Sequence, residues 1–177
     1  MKPEEKERLK FRRQYLITRK DIQCPFLHQT IELGQDFRLH VHIDLPVTVG
    51  SRNGIQLILL GDILDWKCPE KGNSEIINDL IEGDFGHFLI NTADYAGRYV
   101  LIHIVSSAIK LMHDATACRK IYYHMGNDIS CASQPHLLAQ VLGIKETTAP
   151  EKKCFYELDR EVLWPFPDWP RDSDNLP

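Results

Sequence analysis

His40 and His42 are the two residues whose types and spacing best fit a metal-binding pair in this sequence. They lie two positions apart in residues 37–45, where apolar and polar residues alternate, and the pattern predicts a strand with both rings on one face. Two imidazoles on one face can chelate a transition metal, but no third ligand lies nearby in the sequence. We therefore interpret this face as solvated and predict neither a metal site nor a cofactor.

Nucleophilic chemistry would have to come from the cysteines. There are five of them, all far apart: Cys24, Cys68, Cys118, Cys131 and Cys154. The sequence has no CxxC or CxxH spacing, so it gives little support for a structural zinc site. An odd number of cysteines without a signal peptide predicts reduced thiols.

Two carboxylates, Asp114 and Glu75, occupy positions where acidic residues serve structure. Asp114 begins a predicted corner after an apolar strand, where its oxygens would accept bonds from backbone amides instead of acting as a catalytic acid. Glu75 falls in the first turn of a predicted helix capped by Ser74. A capping box and the helix dipole favour an acid there, so we prefer that role to ligand binding.

Size and composition limit the class of protein. At 177 residues, with 43% hydrophobic and 26% charged residues, the chain is typical of one globular domain. The net charge of -4 is small and dispersed, which argues against a nucleic-acid partner. No apolar run is long enough to cross a membrane, so we expect a cytoplasmic protein.

The elements that would position these residues are clearest in residues 97–143. Patterns of apolar residues predict strands at 99–105, 108–113, 120–124 and 129–132, with a hairpin signal at 126–128. Ser133 is the predicted cap of a helix that ends at Gly143. Earlier in the chain we predict strands at 11–18, 37–45 and 55–63 and helices near 74–81 and 88–93.

Strands and helices together predict an α+β fold in which helices cover a mostly antiparallel sheet. Residues 1–10 form a charged extension and residues 11–160 the domain. Residues 161–177 are rich in proline and tryptophan, which is typical of an extended tail or a linker.

The order of features resembles the glutaminase-like domain of asparagine synthetases and other class II glutamine amidotransferases. The matching motifs are Gly97-Arg98-Tyr99, Asp114, Tyr122-Tyr123 and Ala132-Ser133-Gln134. The family's corner glycine and proline correspond to Ala117 and Lys120. The resemblance implies the N-terminal-nucleophile hydrolase fold, a four-layer αββα sandwich of mostly antiparallel sheets.

The catalytic cysteine of that family has no counterpart at the start of this chain. Family members use an N-terminal cysteine whose own α-amino group serves as the base. This chain begins Met1-Lys2, and the strand that corresponds to the family's nucleophile strand, residues 11–18, contains no cysteine. Cleavage before Cys24 would create an N-terminal cysteine, but it would also remove that strand. We therefore predict no catalytic residues.

The resemblance also implies a vestigial substrate pocket. Leu60-Gly61-Asp62 stands where the family has Asn-Gly-Glu, and Leu60 cannot supply the side-chain donor of the oxyanion hole, a loss worth roughly 2.7 to 4 kcal/mol of barrier. Arg38 is the counterpart of an arginine that binds the glutamine carboxylate. Asn73-Ser74-Glu75 stands where the family has an aspartate before a glutamate at a helix start. Asn73 replaces the aspartate that holds the substrate amine, and Glu75 completes the predicted pocket.

Three functions remain open at this stage. The first is a degenerate amidotransferase-like domain that acts as scaffold or regulatory partner of an ATP-dependent, amide-forming synthetase. The second is a module that binds an amino acid or peptide in the vestigial pocket. The third is a glutaminase that becomes active only after N-terminal processing.

Overall fold

Nine strands and four helices are formed by the residues that the computed structural model describes, which are 3–82, 85–106, 108–125 and 129–144. By its internal contacts the chain divides into Met1–Gly143 and Ile144–Pro177, and the description below concerns the first unit. The predicted turn at 126–128 and the tail at 161–177 lie outside the described residues.

The elements follow one another in this order: α1 Pro3–Leu9, β1 Tyr15–Thr18, β2 His28–Gly34, β3 Phe37–His42, β4 Val47–Arg52, β5 Ile55–Asp65, α2 Asn73–Leu80, α3 Phe85–Asn91, a 3₁₀ turn Thr92–Asp94, β6 Tyr95–Val105, β7 Ala108–His113, β8 Tyr122–Met125, β9 Ile129–Ala132 and α4 Pro135–Leu142. β1 is shorter than predicted because Phe11 and Arg13 take φ angles of 46° and 58°, which no strand accommodates.

The strands form two antiparallel sheets. One has the order β2-β3-β1-β9-β8 and the other the order β4-β5-β6-β7. β1 lies in the middle of the first sheet, pairs with β3 and β9, and has all four residues buried. It therefore holds together two parts of the chain that are far apart in sequence.

Three apolar cores define how the layers pack. The core between the sheets takes residues from both, among them Tyr15, Leu39, Ile58 and Ile102. A second core joins α2 and α3 to the other face of β5 and β6, and a third joins α4 to β1 and β9. The fold is thus mixed α+β and mostly sheet, which confirms the predicted class.

None of the helices in the described ranges is long and apolar enough to span a membrane. The four cysteines that the structure describes, Cys24, Cys68, Cys118 and Cys131, are all free thiols, which confirms the prediction for them. Burial raises the pKa of the Cys131 thiol to about 12, so this cysteine is a poor nucleophile.

The prediction of a solvated face for His40 and His42 is wrong. His40 is 6% exposed and His42 is fully buried. The Phe26 ring stacks on His42, the N-terminal helix contacts His42 through Arg8, and the His28 ring packs against His40. The Nε2 of His42 donates to the Arg8 carbonyl at 2.9 Å, and its Nδ1 accepts from the Asp44 amide at 2.9 Å.

The predicted serine caps are also wrong. Helix α2 begins after Gly72, and Ser74 lies within its first turn. Helix α4 begins after Gln134, with Pro135 in its first turn and Gly143 ending it at a φ of 68°, as predicted.

The hydroxyl of Ser133 bridges two strands instead of capping α4. It accepts from the Tyr15 amide at 2.9 Å and donates to the Tyr15 carbonyl at 3.2 Å. Both groups are buried, so the bridge fixes the entry of β1 beside the end of β9. Its position just before α4 is why the sequence pattern resembled a cap.

We expect the substitution Ser133→Ala to destabilise the domain by about 1 to 2 kcal/mol, because it leaves the buried Tyr15 amide without this acceptor. Chemical denaturation measures the change. Gln134→Ala is the matched control, since the Gln134 side chain makes no cap bond. Equal losses in the two variants would contradict the bridging role.

Candidate functional site

Gly61 is the centre of the predicted pocket, and its amide already has a partner. It lies in β5 opposite Tyr99, with a φ of 107° that favours glycine. Its N–H donates to the Pro46 carbonyl at 2.9 Å. The amide that was predicted as the remaining oxyanion-hole donor is therefore used by the fold.

The residues on either side of Gly61 lie in different environments. Leu60 is fully buried in the core between the sheets, whereas Asp62 is exposed. A buried leucine side chain offers no hydrogen bond to a reacting oxygen. The Leu60-Gly61-Asp62 run therefore supplies one polar side chain, and that side chain is exposed to solvent.

Asn73 and Gly61 are brought together by the start of α2. The Asn73 Nδ2 donates to the Gly61 carbonyl at 3.1 Å, and its Oδ1 accepts from the Ile63 amide at 3.2 Å. Both ends of the amide group are thus committed to β5. Glu75 accepts from the Gly72 amide at 2.9 Å, which confirms its predicted place in the first turn.

Arg38 lies in the other sheet. It follows Phe37 and precedes Leu39, both of which belong to the core between the sheets, so Arg38 is on the opposite, outer face of β3. Its guanidinium pairs with Asp21 at 3.5 Å and with Glu32 at 3.4 Å. The structure therefore brings together Gly61 and Asn73 and places Arg38 on a different surface.

Sequence-based reasoning misses Arg119, a buried cation beside Gly61. Arg119 is 7% exposed, and its Nη1 donates to the Arg13 carbonyl at 3.0 Å. A Cβ atom built on Gly61 would lie 3.1 Å from the Arg119 Nε. The guanidinium thus lies between Gly61 and the residues that lead into β1.

The Nε of Arg119 is buried without a hydrogen-bond partner among the residues that the structure describes. Burial, and then the neighbouring Arg98, lowers the pKa of this guanidinium below its ordinary value. Only the position of Arg119 at the end of the Asp114 corner could have indicated it. A buried cation with an open donor is suited to holding a carboxylate.

A separate cleft of about 540 Å³ opens between the two sheets. Its lining is mostly apolar and includes Ile17, Phe37, Leu111, Tyr123 and Ile129. The six residues predicted for the vestigial pocket are not among those that line it. The cleft is large enough for a small ligand, and its surface favours an apolar one.

Placing an acid at position 73 is expected to weaken the domain. In Asn73→Asp the donor to the Gly61 carbonyl is lost and a carboxylate oxygen faces that carbonyl, so we expect a loss of about 1 to 3 kcal/mol. Urea denaturation checks this. Ser74→Asp is the control, because it adds the same charge one residue along the same helix. If Asn73→Asp proved as stable as the control, the bond from Asn73 to the Gly61 carbonyl would not matter for stability.

Comparisons with known proteins add no relative. No protein-family model matches the chain, and no curated protein and no solved structure matches it significantly.

Proposed function

We propose that this chain is a catalytically inactive, glutaminase-like domain of the asparagine-synthetase-related type, located in the cytoplasm. In this proposal it serves as scaffold or regulatory partner of an enzyme that forms amides at the expense of ATP. The observation that carries the proposal is the Gly61 amide, which donates to Pro46 and is unavailable to a reacting oxyanion.

The order of the layers supports kinship with class II glutamine amidotransferases. Helix α4 packs on one sheet, the two sheets pack on each other, and α2 and α3 pack on the second sheet. This order of layers is compatible with the αββα arrangement that the resemblance implies. Ala117, which corresponds to the family's corner glycine, has a φ of 51°, the conformation that glycine favours.

The surroundings of β1 support the loss of catalysis. The family's nucleophile belongs at the start of this strand. In this chain, Arg13 and the residues before it precede the strand. The Arg13 carbonyl accepts from Arg119, so a fixed backbone segment and a buried cation lie beside Gly61. This arrangement leaves no free α-amino group at the start of β1 to act as a base.

N-terminal processing at Cys24 is disfavoured by the position of β1. Cleavage there would remove the middle strand of the five-stranded sheet, together with its pairings to β3 and β9. Three of its four buried residues belong to two of the three cores. An active glutaminase produced in this way would have to refold around the gap.

A synthetase-type partner is the natural complement to such a domain. In the family, the glutaminase-like domain supplies ammonia to an adenylating domain, and a domain that keeps the scaffold without the chemistry retains its packing surface. Co-purification of the untagged protein from its source tests this. We expect a stoichiometric partner that adenylates a carboxylate, and we expect neither nucleic acid nor membrane to co-purify. A chain that runs alone would contradict the scaffold role.

The open Nε of Arg119 favours a second candidate function, the binding of an amino acid or a peptide carboxylate beside Gly61. Thermal-shift measurements with the common amino acids would then show a rise in Tm for at least one of them. The matching amine without its carboxylate is the control ligand. No shift with any amino acid would remove this candidate.

A further inference from the structure

Three side chains with metal-binding atoms meet on the outer face of the five-stranded sheet, away from the Gly61 region. They are Cys24, His28 and His40, and one potential ligand atom from each lies within 4.8 Å of the other two. His28 is exposed, Cys24 is half-buried and His40 is 6% exposed. His40 is therefore buried in the fold, whereas solvent can reach Cys24 and His28.

The sheet register explains how residues so far apart in sequence come together. In the β2–β3 ladder His28 pairs with His42, and Thr30 pairs with His40, so His28 and His40 are diagonal neighbours on one face. Their ring centroids are 4.9 Å apart, with planes inclined at 72°. Cys24 lies in the segment that leads into β2, four residues before His28.

The hydrogen bonds that His28 and His40 make through Nδ1 leave the Nε2 atom of each ring available to bind a metal ion. The Nδ1 of His28 is 3.0 Å from the Phe26 carbonyl, which can only accept, so Nδ1 carries the proton and Nε2 keeps its lone pair. The Nδ1 of His40 bonds to the Thr30 hydroxyl at 3.2 Å. When that Nδ1 donates, the Nε2 of His40 is likewise a lone pair.

The Nε2 of His40 is the second, independent sign of a ligand. It is buried and has no hydrogen-bond partner among the described residues. A buried ring nitrogen without a partner is costly, and a metal ion would satisfy it. Holding the far ring nitrogen of a histidine with an oxygen acceptor is how proteins orient imidazoles toward metals.

We propose that Cys24, His28 and His40 bind a Zn²⁺ ion, with water as the fourth ligand. One thiolate and two imidazoles are a donor set that suits zinc. Zn–S and Zn–N bonds of about 2.3 Å and 2.0 to 2.1 Å require the ligand atoms to close by roughly 1 Å, within the reach of side-chain rotation. The bound ion ties the segment before β2 to β3.

The test uses the full-length, untagged chain, stripped with a chelator and titrated with Zn²⁺ against a chromophoric competitor. We expect one equivalent to bind, with affinity reduced about 100-fold or more in Cys24→Ser and His28→Ala. These two positions are not fully buried, so the variants should fold. Cys118→Ser, which changes an exposed cysteine elsewhere, is the control and should bind as the wild type does.

A thermal-shift measurement on the same four proteins gives a second readout. Zn²⁺ should raise the Tm of the wild type and of Cys118→Ser but not of the other two variants. The proposal is overturned if the wild type binds no stoichiometric zinc, or if Cys24→Ser and His28→Ala bind it as tightly as the control. The outcome is independent of the proposed amidotransferase kinship, because these residues lie outside the vestigial pocket.

Discussion

Gly61→Ala should destabilise the domain by roughly 3 kcal/mol or more, a large loss for the addition of a single methyl group. Two causes act together. The φ of 107° lies in a region that side chains rarely adopt, and a Cβ there would collide with the Arg98 carbonyl of the neighbouring strand. Equilibrium unfolding in denaturant measures the loss.

Backbone atoms of the neighbouring strand also lie too close for a Cβ at Gly97, which pairs with Ile63, two residues after Gly61. Gly97 has a φ of 133°, and its Cβ would collide with the Asp62 carbonyl. Gly61 and Gly97 thus let β5 and β6 come together at the point where the predicted pocket lies. We expect Gly97→Ala to be as damaging as Gly61→Ala, for the same reason.

Gly54→Ala is the matched control for both substitutions. Gly54 has a φ of 77°, but nothing lies within 4 Å of where its Cβ would be. Gly54→Ala should therefore lower the stability only by the cost of placing alanine in this backbone conformation, about 1 to 2 kcal/mol. A Gly61→Ala protein as stable as Gly54→Ala would show that the strands can move apart, and the close approach would then have no structural importance.

Asp114→Asn should cost about 2 to 3 kcal/mol at neutral pH, because the carboxylate organises a whole corner. Its Oδ1 accepts from the Thr116 hydroxyl at 2.8 Å and from the Cys118 amide at 2.9 Å, and its Oδ2 accepts from the Arg119 amide at 2.9 Å. An amide group at this position turns one acceptor into a donor that faces other donors. The hydrogen bonds of the native carboxylate confirm the predicted role of Asp114 in the corner.

The loss should depend on pH in a defined direction. Burial, the largest single effect, would raise the pKa of Asp114, but the hydrogen bonds of Arg119, Cys118, Thr116 and Tyr99 together hold the pKa below its ordinary value of 3.8. A lowered folded-state pKa stabilises the fold above pH 3.8, and this contribution is lost as pH falls through the folded-state pKa. The gap between wild type and variant should therefore narrow below pH 3.8.

Asp36→Asn controls for the change in net charge, since Asp36 is exposed in a turn with a φ of 64° that asparagine tolerates. We expect it to leave stability nearly unchanged across the same pH range. A constant gap between the wild type and Asp114→Asn at every pH would mean that the charged form of Asp114 does not matter.

Sequence patterns predicted the second half of the described domain best. Strands at 108–113 and 129–132 coincide with β7 and β9, since apolar residues alternate or cluster clearly there. β2 gave no periodic signal because it lies at the sheet edge, and only Leu33 of its residues is buried. Local patterns predict strands through burial, and an edge strand has too little of it.

In the candidate sites too, the sequence predicted the local contacts and missed those between distant residues. The bonds of Glu75 and Asp114 are local, so the sequence predicted both. The burial of His42 depends on Arg8 of the N-terminal helix and on Phe26, and the position of Arg119 depends on Arg13 and Gly61. Contacts between residues so far apart in sequence leave no periodic trace, which is why these features became visible only in the fold.

Ammonia release from glutamine by the purified, full-length chain is the most direct measurement of the central claim, with intact mass recorded to show that Met1 is present. The proposal predicts no release above that of a Gly61→Ala preparation assayed in parallel, because the fold uses the Gly61 amide and offers no N-terminal nucleophile at β1. Release at an enzyme-like rate from the intact chain would contradict the claim.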